Sequence, residues 1–188
     1  LRNDVQIILY SFSTDGENPI DILAVNAASA ALMISNVPWG GPVAAVRIGL
    51  IEGEFVLNPT FADLEYSDLD LRMAGTRDAI LMVESGANEI SEQQMVEALE
   101  FGHKAIQPMI DIQEKMAAEI GKPKSSYQPF AIDEAMKASL ANRATTDINA
   151  LLAQPYLKAQ RNEEIDNLRD QYILEFAGED EDKVSQVK

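Results

Sequence analysis

The chain contains no cysteine, which excludes disulfides and thiolate metal sites. A single histidine, His103, excludes a multi-histidine metal centre as well. Basic residues are scarce: 15 Lys and Arg stand against 31 Asp and Glu, for a net charge of −16. A surface that tracks a phosphate backbone needs Lys and Arg. The chain as a whole therefore has the wrong sign for nucleic acid, and any RNA contact must come from a local basic patch or from another part of a larger protein. Long apolar runs are missing too. The longest, Ile20–Ile34, is interrupted by Asp21, Asn26 and Ser29 and is too short and too polar to span a membrane. No methionine opens the chain. Leu1 stands there, almost at once followed by a strand signal, which predicts a piece of a longer protein.

What is present suits a globular protein. Of the 188 residues, 46% are hydrophobic and 24% charged, enough to bury a core without staples. The segment 5–12, VQIILYSF, is β-branched and aromatic and predicts a buried strand. Asn18-Pro19 predicts a helix start, with Asn18 as N-cap, Pro19 at N1 and Asp21 at N3. The helix over 19–35 is apolar almost all round, which predicts burial on most sides. Two apolar runs, 43–51 and 54–58, flank Glu52-Gly53 and predict a hairpin. Strands are expected at LDLRMAG (69–75) and DAILMVES (78–85). Ser91 and Gln94 form a capping-box pattern ahead of a long helix ending near Gly121, with Pro108 inside it and Pro123 beyond. KPKSSYQP then reads as a linker. Two helical stretches, about 132–153 and 155–177, meet at Gln154-Pro155. The expected class is α+β over residues 1–121, followed by a small all-α domain over 122–188.

The stretch SDLDLRMAGT (67–76) is the chemically suggestive one. Residues i, i+2 and i+4 share a strand face, so Asp68, Asp70 and Arg72 place two carboxylates and a guanidinium together. Magnesium takes hard oxygen ligands alongside phosphate oxygens, and a nearby cation steadies a phosphate in transfer. The same spacing also describes the wet side of an ordinary strand, the reading that spacing alone favours. Arg47, Arg72 and Arg77 are the basic residues of the strand region and the candidates for contacting RNA; each can equally pair with one of the many acids. Gly40-Gly41 follows a helix and lacks a phosphate-loop pattern, so it reads as a turn. His103 has no partner marked in sequence. Ser29 reads as helix packing and Ser91 as a cap. The acidic run 179–182 reads as a solvated linker.

The segments ASAALMISNVPWGGPVAAVRIG, FVLNPT, LDLRMAGTRDAILMVESGA and EFGHKAI resemble the bacterial polynucleotide phosphorylase family, and the resemblance runs through essentially the whole chain. It implies a phosphate-dependent 3′-to-5′ exoribonuclease with two RNase PH-like domains, an all-helical domain between them and RNA-binding domains beyond. It further implies a cytoplasmic homotrimer that uses Mg2+ and inorganic phosphate, acts on RNA, and has no DNA or membrane partner. This chain would be the later part of the first RNase PH-like domain plus the helical domain, with the second RNase PH-like domain as its partner. The family's chemistry is assigned to that second domain. Carried over by position, its second catalytic aspartate falls on Asp70, its lysine on Arg72 and its first aspartate on Leu64. Its serine-rich phosphate turn falls on Asn18-Pro19-Ile20-Asp21. The resemblance thus implies a degenerate remnant at Asp70 and Arg72, with no intact catalytic set, no metal site and no cofactor held by this piece. Two other readings stay open: a free-standing RNA- or protein-binding module, and an exosome-like non-catalytic subunit. Residues 161–188, with nine acids and four bases, argue against the RNA version of the first.

Overall fold

The computed structural model describes residues 4–129, 131–180, 183, 184 and 187. Two compact units emerge. One is an α+β unit, Asp4–Tyr127, and the other a helical unit from Gln128 onward. The sequence reading draws the boundary after residue 121. The α+β unit extends further because residues 122–125 bond back to the end of its first helix.

The α+β unit runs α1 (Asp21–Ile34), β1 (Ala44–Ile51), β2 (Glu54–Leu57), α2 (Phe61–Leu64), β3 (Leu69–Gly75), β4 (Ile80–Ala87) and α3 (Glu92–Ile120). The strands form one antiparallel sheet in the order β2-β1-β3-β4. The expected hairpin is there. Glu52 and Gly53 both take positive φ, 50° and 84°, as a two-residue turn matched to strand twist requires. The Ser91–Gln94 capping box is formed reciprocally, and α3 runs unbroken through Pro108 to Ile120.

Alternation decides the core. Val46, Ile48 and Leu50 of β1 lie beside Leu69, Leu71 and Met73 of β3, and α3 covers them with Ala98, Ile106 and Ile110. Each large apolar side chain taken from water contributes about 1.5–3 kcal/mol. Gly102 permits the close approach of helix to sheet: a Cβ there would stand 2.7 Å from Ile48 Cδ1 and 3.2 Å from Met73 Sδ.

Three local expectations are corrected. Residues 5–12 form no strand and make no sheet pairing; their side chains are exposed, Phe12 at 96%. Strand propensity alone makes no strand; it needs a partner strand to pair with. Second, α1 is not buried on most sides. Only Ser29 and Leu32 are buried, while Ile20, Leu23 and Val25 are exposed. Third, Asn18 does not cap α1. The N-cap is Ile20, with no side-chain bond. Asn18 instead closes a turn on Asp15, whose carboxylate accepts the backbone N–H groups of Asn18 and Glu17 and the Asn18 side-chain amide. Those donors, the Asn18 backbone first, lower the Asp15 pKa to about 2.

The helical unit is a hairpin of α4 (Glu134–Leu152) and α5 (Lys158–Phe176). Asp133 caps α4 through the Ala135 and Met136 N–H groups. Leu140, Ala144 and Ile148 share an apolar groove with Ile165, Leu168 and Tyr172. Arg143 pairs with Glu175 and lies over the Tyr172 ring, and the Tyr172 hydroxyl donates to Asp147. No helix among the described residues is long and apolar enough to cross a membrane.

Ile106 is fully buried against the sheet. Ile106→Ala is expected to lower unfolding stability by about 2–5 kcal/mol, as large-to-small core changes do, measured as a lower urea midpoint with an unchanged slope.

Candidate functional site

The strand β1 starts two residues after Pro42 and runs past the reach of β2, which pairs only with Ile48–Ile51. The outward edge of its first half is completed by side chains. The Val43 N–H donates to Ser29 Oγ (2.9 Å), and Gln113 Nε2 donates to the Val43 carbonyl (3.0 Å). The Ala45 N–H donates to Asn26 Oδ1 (2.9 Å), and Asn26 Nδ2 donates back to the Ala45 carbonyl (3.0 Å). The Arg47 N–H donates to Asn58 Oδ1 (3.0 Å), and the Asn58 N–H returns to the Arg47 carbonyl (2.7 Å). Every second residue of the edge is thus satisfied, as a buried strand demands. Asn26 and Ser29 were visible in sequence only as polar breaks in an apolar helix. Their role as a strand partner was missed, although a polar side chain repeated within an apolar helix is itself the signal for one.

Because Asn26 and Ser29 dock α1 on β1, the start of α1 stands over the sheet face that carries Arg47, Asp70 and Arg72. Register places Arg47 opposite Arg72, and Arg72 opposite Glu84. Two like charges directly opposed would repel, so acids are drawn in between. Asp70 takes Arg47 in a two-pronged pair, with Nε to Oδ1 at 2.7 Å and Nη2 to Oδ2 at 2.6 Å. Asp21 of α1 lies 3.2 Å from Arg72 Nε and 3.7 Å from Arg47 Nη1. The Arg72 Nε is buried and makes no aligned hydrogen bond, so its contact with Asp21 is an ion pair only. Arg72 also reaches Asp70 (3.6 Å) and Glu84 (3.4 Å). The result is a lattice of two guanidinium groups and three carboxylates. Arg47 is only 6% exposed. Its donated bonds hold the Asp70 carboxyl below the usual carboxylate range, against the opposing effect of burial, and Asp70 in turn raises Arg47 above its ordinary value.

The remaining predicted residues are placed elsewhere. Asp68 precedes β3, is exposed, and accepts from the Asn88 side-chain amide (3.2 Å); it takes no part in the lattice. Leu64 ends α2 and is half-buried. Arg77 lies at the β3–β4 turn, paired with Asp111 (2.7 Å) and Glu114 (2.8 Å) of α3. His103 points at the same turn, its Nε2 lying 3.1 Å from the Thr76 carbonyl oxygen. A pocket of about 190 Å³ opens beside the lattice, lined by Asn18, Pro19, Ile22, Asn26, Arg47, Asn58 and Met109 among others. The donor set does not suit magnesium. Both Asp70 oxygens are taken by Arg47, and among the described residues no three acidic or histidine side chains are grouped to hold a metal ion.

Asp70 stabilises the fold through Arg47, and the pH dependence follows. Its folded-state pKa is depressed from 3.8, so the contribution is complete above that value and is lost as pH falls through the folded one. Asp70→Asn is expected to cost about 1–3 kcal/mol at pH 7, less than breaking a fully buried pair because Asp70 is 37% exposed. Urea titrations at pH 7 and pH 3 check this: the variant loses less stability on acidification than the parent chain.

Residues 41–105, from just before β1 to the middle of α3, match the 3′ exoribonuclease family, domain 2. The chain is 46% identical, over 96% of its length, to the polyribonucleotide nucleotidyltransferase of Thermus thermophilus, and covers 26% of that protein. It is 41% identical over 95% of its length to the enzyme of the same name from Crocosphaera subtropica, covering 25% of it. Against that from Sorangium cellulosum it is 47% identical over 79% of its length, covering 20%. The chain therefore spans about a quarter of the curated relatives it matches. Among solved structures, rice Rrp46 superposes on 55% of this chain and 50% of its own with a TM-score of 0.49 at 19% identity. Identity this high, sustained along most of the chain and joined to the domain match over the sheet, makes the chain similar to about a quarter-length segment of the polyribonucleotide nucleotidyltransferases.

Proposed function

We propose that this chain is a structural and assembly part of a phosphate-dependent 3′-to-5′ exoribonuclease, and that its own catalytic centre is degenerate. The carrying observation is the ion lattice. Asp70 and Arg72 occupy the positions that the resemblance gives to a catalytic carboxylate and a cation, and both are consumed internally. Arg47 takes both oxygens of Asp70, and Arg72 is shared among Asp21, Asp70 and Glu84. Asp21, in the turn where the family would hold phosphate, supplies the negative charge itself. An incoming phosphate would meet that carboxylate at the mouth of the site, and like charges repel. Leu64, in place of the other aspartate, offers no ligand atom.

In this reading the parent enzyme degrades RNA by phosphorolysis in its second RNase PH-like domain, where Mg2+ and phosphate are used, and it works as a cytoplasmic homotrimer. Residues up to about 121 are the later part of the first RNase PH-like domain, and the rest is the all-helical domain. The sheet arginines stabilise the fold and do not grip RNA: Arg47 is buried, and Arg77 is held by Asp111 and Glu114. The exposed apolar side chains of residues 5–12 and of β4 (Leu81 61%, Val83 48%) fit surfaces that the remainder of the parent covers, since patches of this kind mark interfaces.

The test is phosphorolysis by this chain alone, with poly(A), inorganic phosphate and Mg2+, following ADP release. No release is expected. Phosphate-dependent ADP release that disappears in Asp70→Asn would sink the degenerate-site reading.

A further inference from the structure

The end of α1 carries an unusual attachment. A helix leaves its last carbonyl groups without intrahelical partners, and the negative end of its dipole favours a cation there. The last turn of α1 contains no basic residue. The cation comes instead from beyond α3. Lys124 Nζ donates to the carbonyl oxygens of Leu32 (2.8 Å), Met33 (3.0 Å) and Ser35 (2.9 Å). An ammonium has three protons, and all three are spent on one helix end. The backbone flanking Lys124 follows. The Lys122 N–H donates to the Ile34 carbonyl (3.0 Å) and the Ser125 N–H to the Asn36 carbonyl (2.8 Å). The Asn36 side-chain amide closes the set on Ser125 Oγ (3.1 Å). Pro123, lying between, has no N–H to donate, so the ammonium and the two flanking amides carry the attachment.

We propose that Lys124 is a clasp. Closed, it holds residues 122–125 on the end of α1 and so sets where the α+β unit stops. Opened, by loss of the ammonium charge, it releases residues 122–127 into the connection that leads to α4, leaving the sheet and α3 intact. The device is local because its partners are backbone carbonyl groups at one helix end, outside the cluster of buried side chains between α3 and the sheet.

Amide hydrogen exchange on the full chain tests it. In Lys124→Met the Lys122 and Ser125 amides are expected to exchange about tenfold faster, the scale set by losing charge-assisted hydrogen bonds, while Leu71 and Met73 in β3 keep their parent rates. Asn36→Ala weakens the same strap without touching the ammonium, and a smaller acceleration confined to Ser125 is expected; it serves also if the Met variant does not fold. Unchanged exchange at Ser125 in both variants would overturn the clasp. So would an acceleration shared equally by Leu71 and Met73, which would make Lys124 a support of the whole unit.

Discussion

The α+β unit is organised around one buried cation. Arg47 sits near the middle of the most enclosed strand, and its guanidinium is almost wholly removed from water. A charge in that position is costly unless it is paired and hydrogen-bonded. The pairing dictates what surrounds it. Asp70 must stand on the adjoining strand with both oxygens turned inward, which the antiparallel register of β1 and β3 allows by placing Asp70 opposite Gly49. Arg72, facing Arg47 directly, then needs acids of its own. It finds them in Asp21 and Glu84, from a helix and an edge strand distant in sequence. Burying Arg47 thus ties together the start of α1, both inner strands and β4.

A second constraint meets the first at the same residue. The backbone of β1 beyond β2 has an edge that must be satisfied, and Asn58, Asn26, Ser29 and Gln113 satisfy it at Arg47, Ala45 and Val43. Those side chains stand where a neighbouring strand would lie. They seat α1 close enough for Asp21 to reach the guanidinium groups, and they close the edge to other strands.

Much of this fold was legible in the chain because its signals are local. Glu52-Gly53 specifies a turn by backbone conformation alone, Ser91 and Gln94 cap each other within four residues, and Pro155 interrupts a helix whatever lies around it. The four strands follow from short apolar runs bounded by turn residues, a signal that survives without knowledge of partners. Most of what was not legible depends on groups far apart in sequence. One miss was local: Asn18 looked like a cap, but it closes on Asp15 within the preceding turn. Asp68, Asp70 and Arg72 looked like one set by spacing, yet Asp68 lies outside the strand and the deciding members, Arg47, Asp21 and Glu84, come from other elements. Lys124 lies about ninety residues from the carbonyl groups it meets, and no local pattern marks it.

Charge composition and site geometry tell the same story at different scales. With 31 acids for 15 bases, carboxylates outnumber the cations they can pair with two to one. Arg47, Arg72 and Arg77 are each held by at least one. A phosphate-binding site depends on cations whose charge is left uncompensated until the ligand arrives, and compensation from within removes that field before any ligand is present. On the proposed degenerate-site reading, the gain of Asp21 therefore matters more than the loss of a metal ligand at Leu64. A missing carboxylate weakens a site, whereas an added one, 3.2 Å from the remaining cation, occupies it. The same carboxylate stabilises the fold by neutralising two opposed arginines. On that same reading, a serine turn in place of Asp21 would not by itself make a phosphate site: it would leave Arg47 and Arg72 facing each other with only Asp70 and Glu84 to separate them.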